Sequence, residues 1–153
     1  MRVWRICSRR RSRAAFQGEG ARLYGGRWNP PGVSVVYTSG SLALAALEVL
    51  VNVELQEMPR DLVSIAATIP DEAPAESVEI ADLPAGWQRT PAPEYLQLLW
   101  ADWVRRQNTA VLSVPSAVIP SEHNFLLNPA HRDFKRIKIG KPGTFRFDPR
   151  LWK

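Results

Sequence analysis

Residues 33–55 carry the clearest structural signal in the sequence. An apolar, β-branched run, VSVVYT at 33–38, lies between Gly32 and Gly40 and predicts a strand. The residues after it are rich in alanine and leucine, and Ser41 precedes them as a potential N-cap, so we predict a helix over residues 42–55. This part of the chain should form a strand, a tight turn and a helix in direct succession.

The remaining sequence predicts several short strands and one further helix. Leu96, Leu99, Trp100 and Trp103 recur at intervals of three and four, which predicts a helix over residues 95–107 with these side chains facing the core. Few helices among many strands favour an α+β fold over a doubly wound sheet. The other strands are expected at residues 3–7, 62–69, 110–114, 137–139 and 144–147, with a short one near 78–80 inside an irregular, proline-rich segment at 70–93.

Length, charge and cysteine content limit the class of protein. The 153 residues fit one domain, and the net charge of +5 attracts phosphate-bearing ligands, nucleic acid or acidic partners without choosing among them. Cys7 is the only cysteine, so no internal disulfide is possible, and a reducing, cytoplasmic setting is expected. The sequence shows no signal peptide, and its most apolar stretch, residues 42–51, is too short to cross a bilayer, so neither export nor membrane insertion is indicated.

Glu48 is the most unusual residue of the predicted 42–55 helix. It is the only charged residue between Ser41 and Glu54, and it falls on an apolar stripe formed by Leu44, Leu47, Val51 and Leu55. A carboxylate that faces a core is costly unless it is paired or hydrogen-bonded. Glu48 therefore either has a structural partner or serves a function, and its spacing alone leaves both interpretations open.

The glycine-rich loop before the predicted strand supplies a candidate counterpart. In the run YGGRWN, two glycines allow close approach of the backbone to a ligand, and Arg27 can bind phosphate oxygens with paired hydrogen bonds. Tyr37, at the end of the strand, can stack on a base or a nicotinamide ring. Taken singly, Arg27 could equally lie in solvent beside a glycine turn, and Tyr37 could be an ordinary sheet residue.

Several common sites are excluded by spacing. The run from Gly18 begins like a dinucleotide-binding fingerprint, but Leu23 occupies the third glycine position, and no P-loop is present. His123 and His131 are eight residues apart and lack cysteine neighbours, so we expect no metal site.

Three segments in this order resemble the RES domain family. They are GGRWN at 25–29, VVYTSGSLALAALEVL at 35–50 and VPSAVIPSEHNFLLNPAH at 114–131, so the resemblance extends over most of the chain. It implies a single RES domain over residues 1–153. The implied fold is similar to that of the ADP-ribosyltransferase toxins, a compact α+β domain with a central, mostly antiparallel split sheet flanked by helices.

The resemblance also assigns the site. It implies that Arg27, Tyr37, Glu48 and Ser116 are catalytic, although Ser121 lies only five residues after Ser116 and is the alternative serine. NAD is the implied substrate, without a metal. The residues expected to contact NAD are Arg27, Tyr37, Gly26, Trp28 and Asn124, and Asn128 also matches the family pattern.

The resemblance implies a toxin of a bacterial toxin–antitoxin pair that cleaves the bond between nicotinamide and ribose. We expect Arg27 to bind the phosphates, Tyr37 to stack on the nicotinamide, and Glu48 to bind the ribose hydroxyls, with Ser116 orienting Glu48 or the ribose. The acceptor stays open: water, phosphate or a protein side chain would give a glycohydrolase, a phosphorylase or an ADP-ribosyltransferase.

The resemblance implies a cognate, Xre-like DNA-binding antitoxin as the partner and allows a homodimer or a larger toxin–antitoxin assembly, without direct binding to nucleic acid or membrane. Two alternatives come from other classes. The arginines at 9–13 and six tryptophans could indicate a basic protein that binds nucleic acid or cleaves RNA. A non-catalytic interaction protein could instead pair Arg27 with Glu48 as a buried ion bridge.

Overall fold

The computed structural model describes residues 1–152 and builds them around one eight-stranded sheet. The helices in this part of the chain are α1 (Glu19–Tyr24), α2 (Leu42–Asn52) and α3 (Glu94–Arg106). The strands are β1 (Arg2–Ser8), β2 (Val36–Ser39), β3 (Leu62–Thr68), β4 (Ala75–Ser77), β5 (Val111–Pro115), β6 (His123–Leu127), β7 (Lys138–Ile139) and β8 (Gly143–Thr144).

The sheet consists of two halves with a weak junction. Its order is β4-β5-β6-β2-β1-β3-β7, with β8 also pairing with β3, and every pairing except β4 with β5 is antiparallel. β1 and β3 pair along seven residues each, whereas β1 and β2 share the single register pair Trp4 and Ser39. The predicted α+β class and the mostly antiparallel, split sheet are confirmed.

Helix α2 begins at the predicted residue and ends before the predicted one. The Ser41 side chain accepts a hydrogen bond from the Leu44 amide at 3.1 Å, which caps the first turn of α2. At the other end, the Asn52 side chain donates to the Glu48 carbonyl at 2.8 Å, the competition for backbone carbonyls that makes asparagine typical of helix ends. The prediction of a helix to residue 55 is therefore wrong by three residues.

The apolar stripe predicted for α2 is also corrected. Leu44 and Ala45 are the buried residues of the helix, whereas Val51 is 59% exposed. The core-facing side of α2 is rotated away from the predicted one, so that Glu48 borders a cleft instead of the hydrophobic core.

The second long helix, α3, matches its prediction more closely. Leu96 and Trp103 are buried, and Trp100 packs edge to face against Trp28 with ring centroids 6.1 Å apart. Leu99 is 53% exposed, however, so its place on the core-facing stripe was wrongly predicted. Trp100 and Trp103 contribute to packing, as predicted.

Two elements were missed in the sequence, and three were misplaced. The strand predicted at 144–147 is β8 (Gly143–Thr144), since only these residues of the segment pair with β3, and the strand predicted at 33–38 is β2 (Val36–Ser39), since pairing with β6 begins at Val36. β6 lies in a predicted loop, because a central strand covered on both faces shows no alternation, and its last residues, Leu126 and Leu127, are both buried. α1 lies where a glycine-rich loop was predicted over residues 17–31, whose composition hid a short helix with an Arg22 and Glu19 ion pair. β4 (Ala75–Ser77) precedes the strand predicted at 78–80, because pairing with β5 ends at Ser77.

Hydrophobic clusters cover both faces of the sheet and position the cleft. One face carries Val3, Val36, Val63 and Leu127. The other carries Leu112 and Leu126 under Trp28 and Trp103, and a smaller cluster under α2. Among residues 1–152, none of the helices has the length and hydropathy that crossing a bilayer requires.

Candidate active site

A cleft of about 870 Å³ lies at the junction between the two halves of the sheet. Residues of β1, β2 and α2 line it together with the GGRWN loop, residues 88–92 and the segment after β5. Of the predicted site residues, the cleft lining includes Gly26, Arg27, Trp28, Tyr37, Glu48 and Asn124. Segments that are far apart in the sequence therefore meet at one site.

The Glu48 carboxylate is held through one of its oxygens. Oε1 accepts a hydrogen bond from Ser116 Oγ at 2.8 Å and another from Asn124 Nδ2 at 2.5 Å. No described residue hydrogen-bonds to Oε2. The carboxylate thus has a fixed orientation and retains one oxygen for other contacts.

Ser116 is the serine that reaches Glu48. Its hydroxyl oxygen accepts hydrogen bonds from the backbone amides of Val118 and Ile119, both at 3.1 Å, so its single proton is directed to the carboxylate. Ser116 is fully buried, whereas Ser121 is exposed in the following turn. Of the two candidate serines, the structure brings only Ser116 to Glu48.

Arg27 is anchored by backbone carbonyls. Its NH1 donates to the carbonyl of Trp87 at 2.6 Å and to that of Arg89 at 3.0 Å. Burial lowers the pKa of Arg27, and the charge of Glu48 acts in the opposite direction. Among the described residues Arg27 forms no salt bridge, with Glu48 or with any other carboxylate, so the alternative of a buried Arg27 and Glu48 ion pair loses its structural basis.

The 70–93 segment, which carried no recognisable motif, contributes a wall of the cleft. Besides the carbonyls that hold Arg27, it supplies Gln88, whose side chain donates to the Ala117 carbonyl at 3.1 Å. This hydrogen bond connects the wall near Arg27 to the wall near Ser116. The cleft is consequently closed at this side by a segment whose role the sequence did not reveal.

The Tyr37 hydroxyl joins β2 to the GGRWN loop. It donates to Asn29 Oδ1 at 2.7 Å and accepts from the Trp28 amide at 3.0 Å, and burial raises its pKa. Gly26 is required here, because an added Cβ would lie 2.5 Å from this hydroxyl. Tyr37 lines the cleft, while its hydroxyl is used in hydrogen bonds that hold the GGRWN loop.

Trp28 lies in the core. Its ring packs between Trp87 and Trp100, with centroid distances of 6.1 Å to each, and it is buried. Trp28 nevertheless also lines the cleft, so its predicted contact with NAD stays a prediction, while its packing supports the loop that carries Arg27.

Arg5 is a candidate site residue that the sequence analysis missed. It is a half-buried arginine on β1 that lines the cleft, and its NH1 donates to the Tyr37 carbonyl at 2.8 Å across the sheet junction. Its Nε is buried without a hydrogen-bond partner, burial lowers its pKa, and in the described chain it has no carboxylate partner. The available signal was a single charge within the apolar strand VWRIC.

Comparison with known proteins places the chain in a family. The model of the RES domain matches residues 2–148. The chain belongs to the RES domain family. The cleft residues Arg27 and Glu48 and the buried Ser116 beside them all lie inside the matched region.

The relatives of this RES domain chain include proteins named as toxins. A protein of Sphingobium sp. named Prs ADP-ribosylating toxin is 40% identical, over 97% of this chain and 94% of the relative. A protein of Yersinia enterocolitica named Toxin Res is 34% identical, over 99% of each chain. The Photorhabdus laumondii Toxin Res is 37% identical, over 100% of this chain and 98% of the relative.

The RES domain fold is also shared with a solved structure. A chain in the crystal structure of the M. tuberculosis MbcT–MbcA toxin–antitoxin complex superposes with a TM-score of 0.70 and 16% identity, covering 98% of this chain and 85% of that chain. At this identity the likeness concerns the fold alone.

Proposed function

We propose that this RES domain protein is the toxin of a bacterial toxin–antitoxin pair and that it consumes NAD by cleaving the bond between nicotinamide and ribose. One observation carries the proposal. A carboxylate held through a single oxygen shares a cleft with two arginines that have no carboxylate partner in the described chain. NAD has the matching chemistry, since it combines a cationic glycosidic centre with an anionic pyrophosphate.

Glu48 would act on the ribose. Cleavage of a glycosidic bond passes through a state with positive charge on the sugar ring, which a fixed carboxylate stabilises. Glu48 Oε2 would accept hydrogen bonds from ribose hydroxyls, because Oε1 is already occupied by Ser116 and Asn124. Ser116 and Asn124 would then keep the carboxylate in place during the reaction.

Arg27 and Arg5 would bind the pyrophosphate. Guanidinium groups suit phosphate oxygens through charge and paired donors, and both arginines retain donor groups beyond those bound to carbonyls. The Tyr37 ring would contribute an aromatic surface for the nicotinamide, with its hydroxyl kept in the structural hydrogen bonds described above.

The molecule that accepts the ADP-ribose group determines which reaction the protein would catalyse. In each case the bond from ribose C1′ to nicotinamide breaks, nicotinamide departs with the bonding electron pair, and C1′ bonds to a nucleophile of the acceptor. Water or phosphate would give a glycohydrolase or a phosphorylase. Transfer to a protein is the second candidate, favoured by the relative at 40% identity that is named an ADP-ribosylating toxin.

The toxin role rests on the relatives named Toxin Res, and the partner on the fold shared with a chain of a toxin–antitoxin complex. We propose a cognate antitoxin, of the Xre-like DNA-binding type, that limits access to the cleft.

The test is to incubate the purified protein with NAD, with and without phosphate, and to resolve the products by chromatography. We expect nicotinamide release that the Glu48→Gln variant lacks, and the second product, ADP-ribose or its 1-phosphate, identifies the acceptor. A parallel reaction with cell extract and labelled NAD detects transfer to protein. Intact NAD in all reactions, together with salt-sensitive binding to oligonucleotides, would instead support the nucleic-acid alternative.

A further inference from the structure

Ser39 lines the cleft beside Asn124, one of the two residues that hydrogen-bond to Glu48. It is the last residue of β2, it is buried, and it stands opposite Asn124 in the pairing of β2 with β6. Its hydroxyl donates to Asn124 Oδ1 at 2.7 Å. Ser39 also forms the single register pair with Trp4 that joins the two halves of the sheet.

The side-chain amide of Asn124 has two different faces, and only one of them suits a carboxylate. Its N–H group donates to Glu48, whereas its oxygen would repel Glu48 if the amide were rotated by half a turn. With the Ser39 hydroxyl donating to that oxygen, the amide is fixed at both ends. Without Ser39, the oxygen of this buried amide would lose its only hydrogen bond in the described chain.

Two chains of donors therefore converge on Glu48 Oε1. In the first, backbone amides of residues 118 and 119 orient Ser116, which donates to the carboxylate. In the second, Ser39 orients Asn124, which donates to the same oxygen. Hydrogen bonds linked in this way polarise one another, so the outer member of a chain affects the inner one.

We propose that Ser39 is a positioning residue, which fixes the amide of Asn124 and thereby the Glu48 carboxylate. Ser39 acts through Asn124, because it is only 4% exposed and its hydroxyl proton is donated to Asn124 Oδ1. The effect on turnover rests on the proposed NAD-consuming function, whereas the effect on the Asn124 amide does not.

The kinetic test uses Ser39→Ala. We expect kcat for NAD to fall by about tenfold while KM changes by less than about twofold, because the hydrogen bond positions a group that acts in the transition state. In a double-mutant cycle, Ser39→Ala should add nothing to the loss caused by Asn124→Ala, since the first residue acts through the second. If the losses of kcat from Ser39→Ala and Asn124→Ala multiply in the double variant, or if Ser39→Ala has a normal kcat, the proposal is overturned.

A matched control separates positioning from stability. Thr109→Val also removes a buried hydroxyl, which accepts from Trp103 Nε1 at 3.0 Å and donates to the Val111 carbonyl at 3.1 Å. We expect this variant to melt at a lower temperature with unchanged kcat. Equal losses of kcat in Thr109→Val and Ser39→Ala would show that the Ser39 effect is merely structural.

A measurement without NAD completes the test. The side-chain amide protons of Asn124, observed by ¹⁵N-edited NMR, should exchange slowly in the wild type and faster, with shifted resonances, in Ser39→Ala. Unchanged resonances and exchange would contradict the proposal even if the wild type does not turn over NAD. Conversely, an inactive wild type with a changed amide in Ser39→Ala would contradict the proposed function alone.

Discussion

The carboxylate end and the arginine end of the cleft are built differently. Glu48 lies on α2, and its donors lie on β6 and directly after β5, so two regular elements and the residue that follows a third fix it through contacts between side chains. Arg27 lies in a loop and is held by two carbonyls of another irregular segment. The comparison shows that the group with the strictest geometrical demand is placed on regular elements, as expected for a preorganised charge.

Substitutions at the two ends of the cleft should consequently change different kinetic parameters. Loss of a positioned charge that acts only in the transition state lowers kcat, whereas loss of a group that binds substrate and transition state alike raises KM. The arginine end should respond mainly through KM, and the loop that carries Arg27 should respond through stability as well.

The largest effect at the arginine end is expected from removing a guanidinium. Arg5→Met and Arg27→Met should each raise KM for NAD by about tenfold to a hundredfold, since a charged hydrogen bond contributes about 1.5–3 kcal/mol. Steady-state kinetics with folded variants measures this. A fall in kcat at constant KM in either variant would remove the distinction between the two ends.

The next effect concerns the loop itself. In Gly26→Ala the new Cβ would overlap the Tyr37 hydroxyl, so we expect a loss of about 1–3 kcal/mol in the free energy of unfolding. Chemical denaturation checks it, and Gly20→Ala is the matched control, because an added Cβ there meets nothing within 4 Å. If both variants unfold at the same denaturant concentration, the tight contact between Gly26 and Tyr37 does not exist in solution.

The smallest effect is a pH dependence of stability. Burial raises the pKa of Tyr37 above its ordinary value of 10.0, so above about pH 10 the unfolded chain releases this proton while the folded chain keeps it. Stability from this residue is therefore constant below pH 10 and falls above it, by up to about 1.4 kcal/mol per pH unit. Urea unfolding at pH 9–11 should show a steeper decline for the wild type than for Tyr37→Phe, and parallel declines would contradict it.

The sequence predicts more of the carboxylate end of the cleft than of the arginine end. Residues 33–52 have strong periodicity and a capping serine, so a strand followed by a helix that carries Glu48 was predicted. β2 nevertheless begins at Val36 instead of residue 33, and the exposed Val51 shows that the helix face was misjudged. The contacts of Ser116 and Asn124 with Glu48 depend on strand pairing over long sequence distances, and only the family resemblance pointed to them. Arg5 gave only the weak signal of one charge in an apolar strand, and the 88–92 wall gave none, because their roles arise from tertiary contacts.

The most direct measurement compares nicotinamide release from NAD by the wild type and by Glu48→Gln at equal folded concentration. The glutamine side chain keeps an oxygen for Ser116 and Asn124, so the variant should fold and melt close to the wild type. Loss of the charge should lower kcat by on the order of a hundredfold or more. A folded Glu48→Gln variant that releases nicotinamide at a nearly normal rate would contradict the role assigned to this carboxylate.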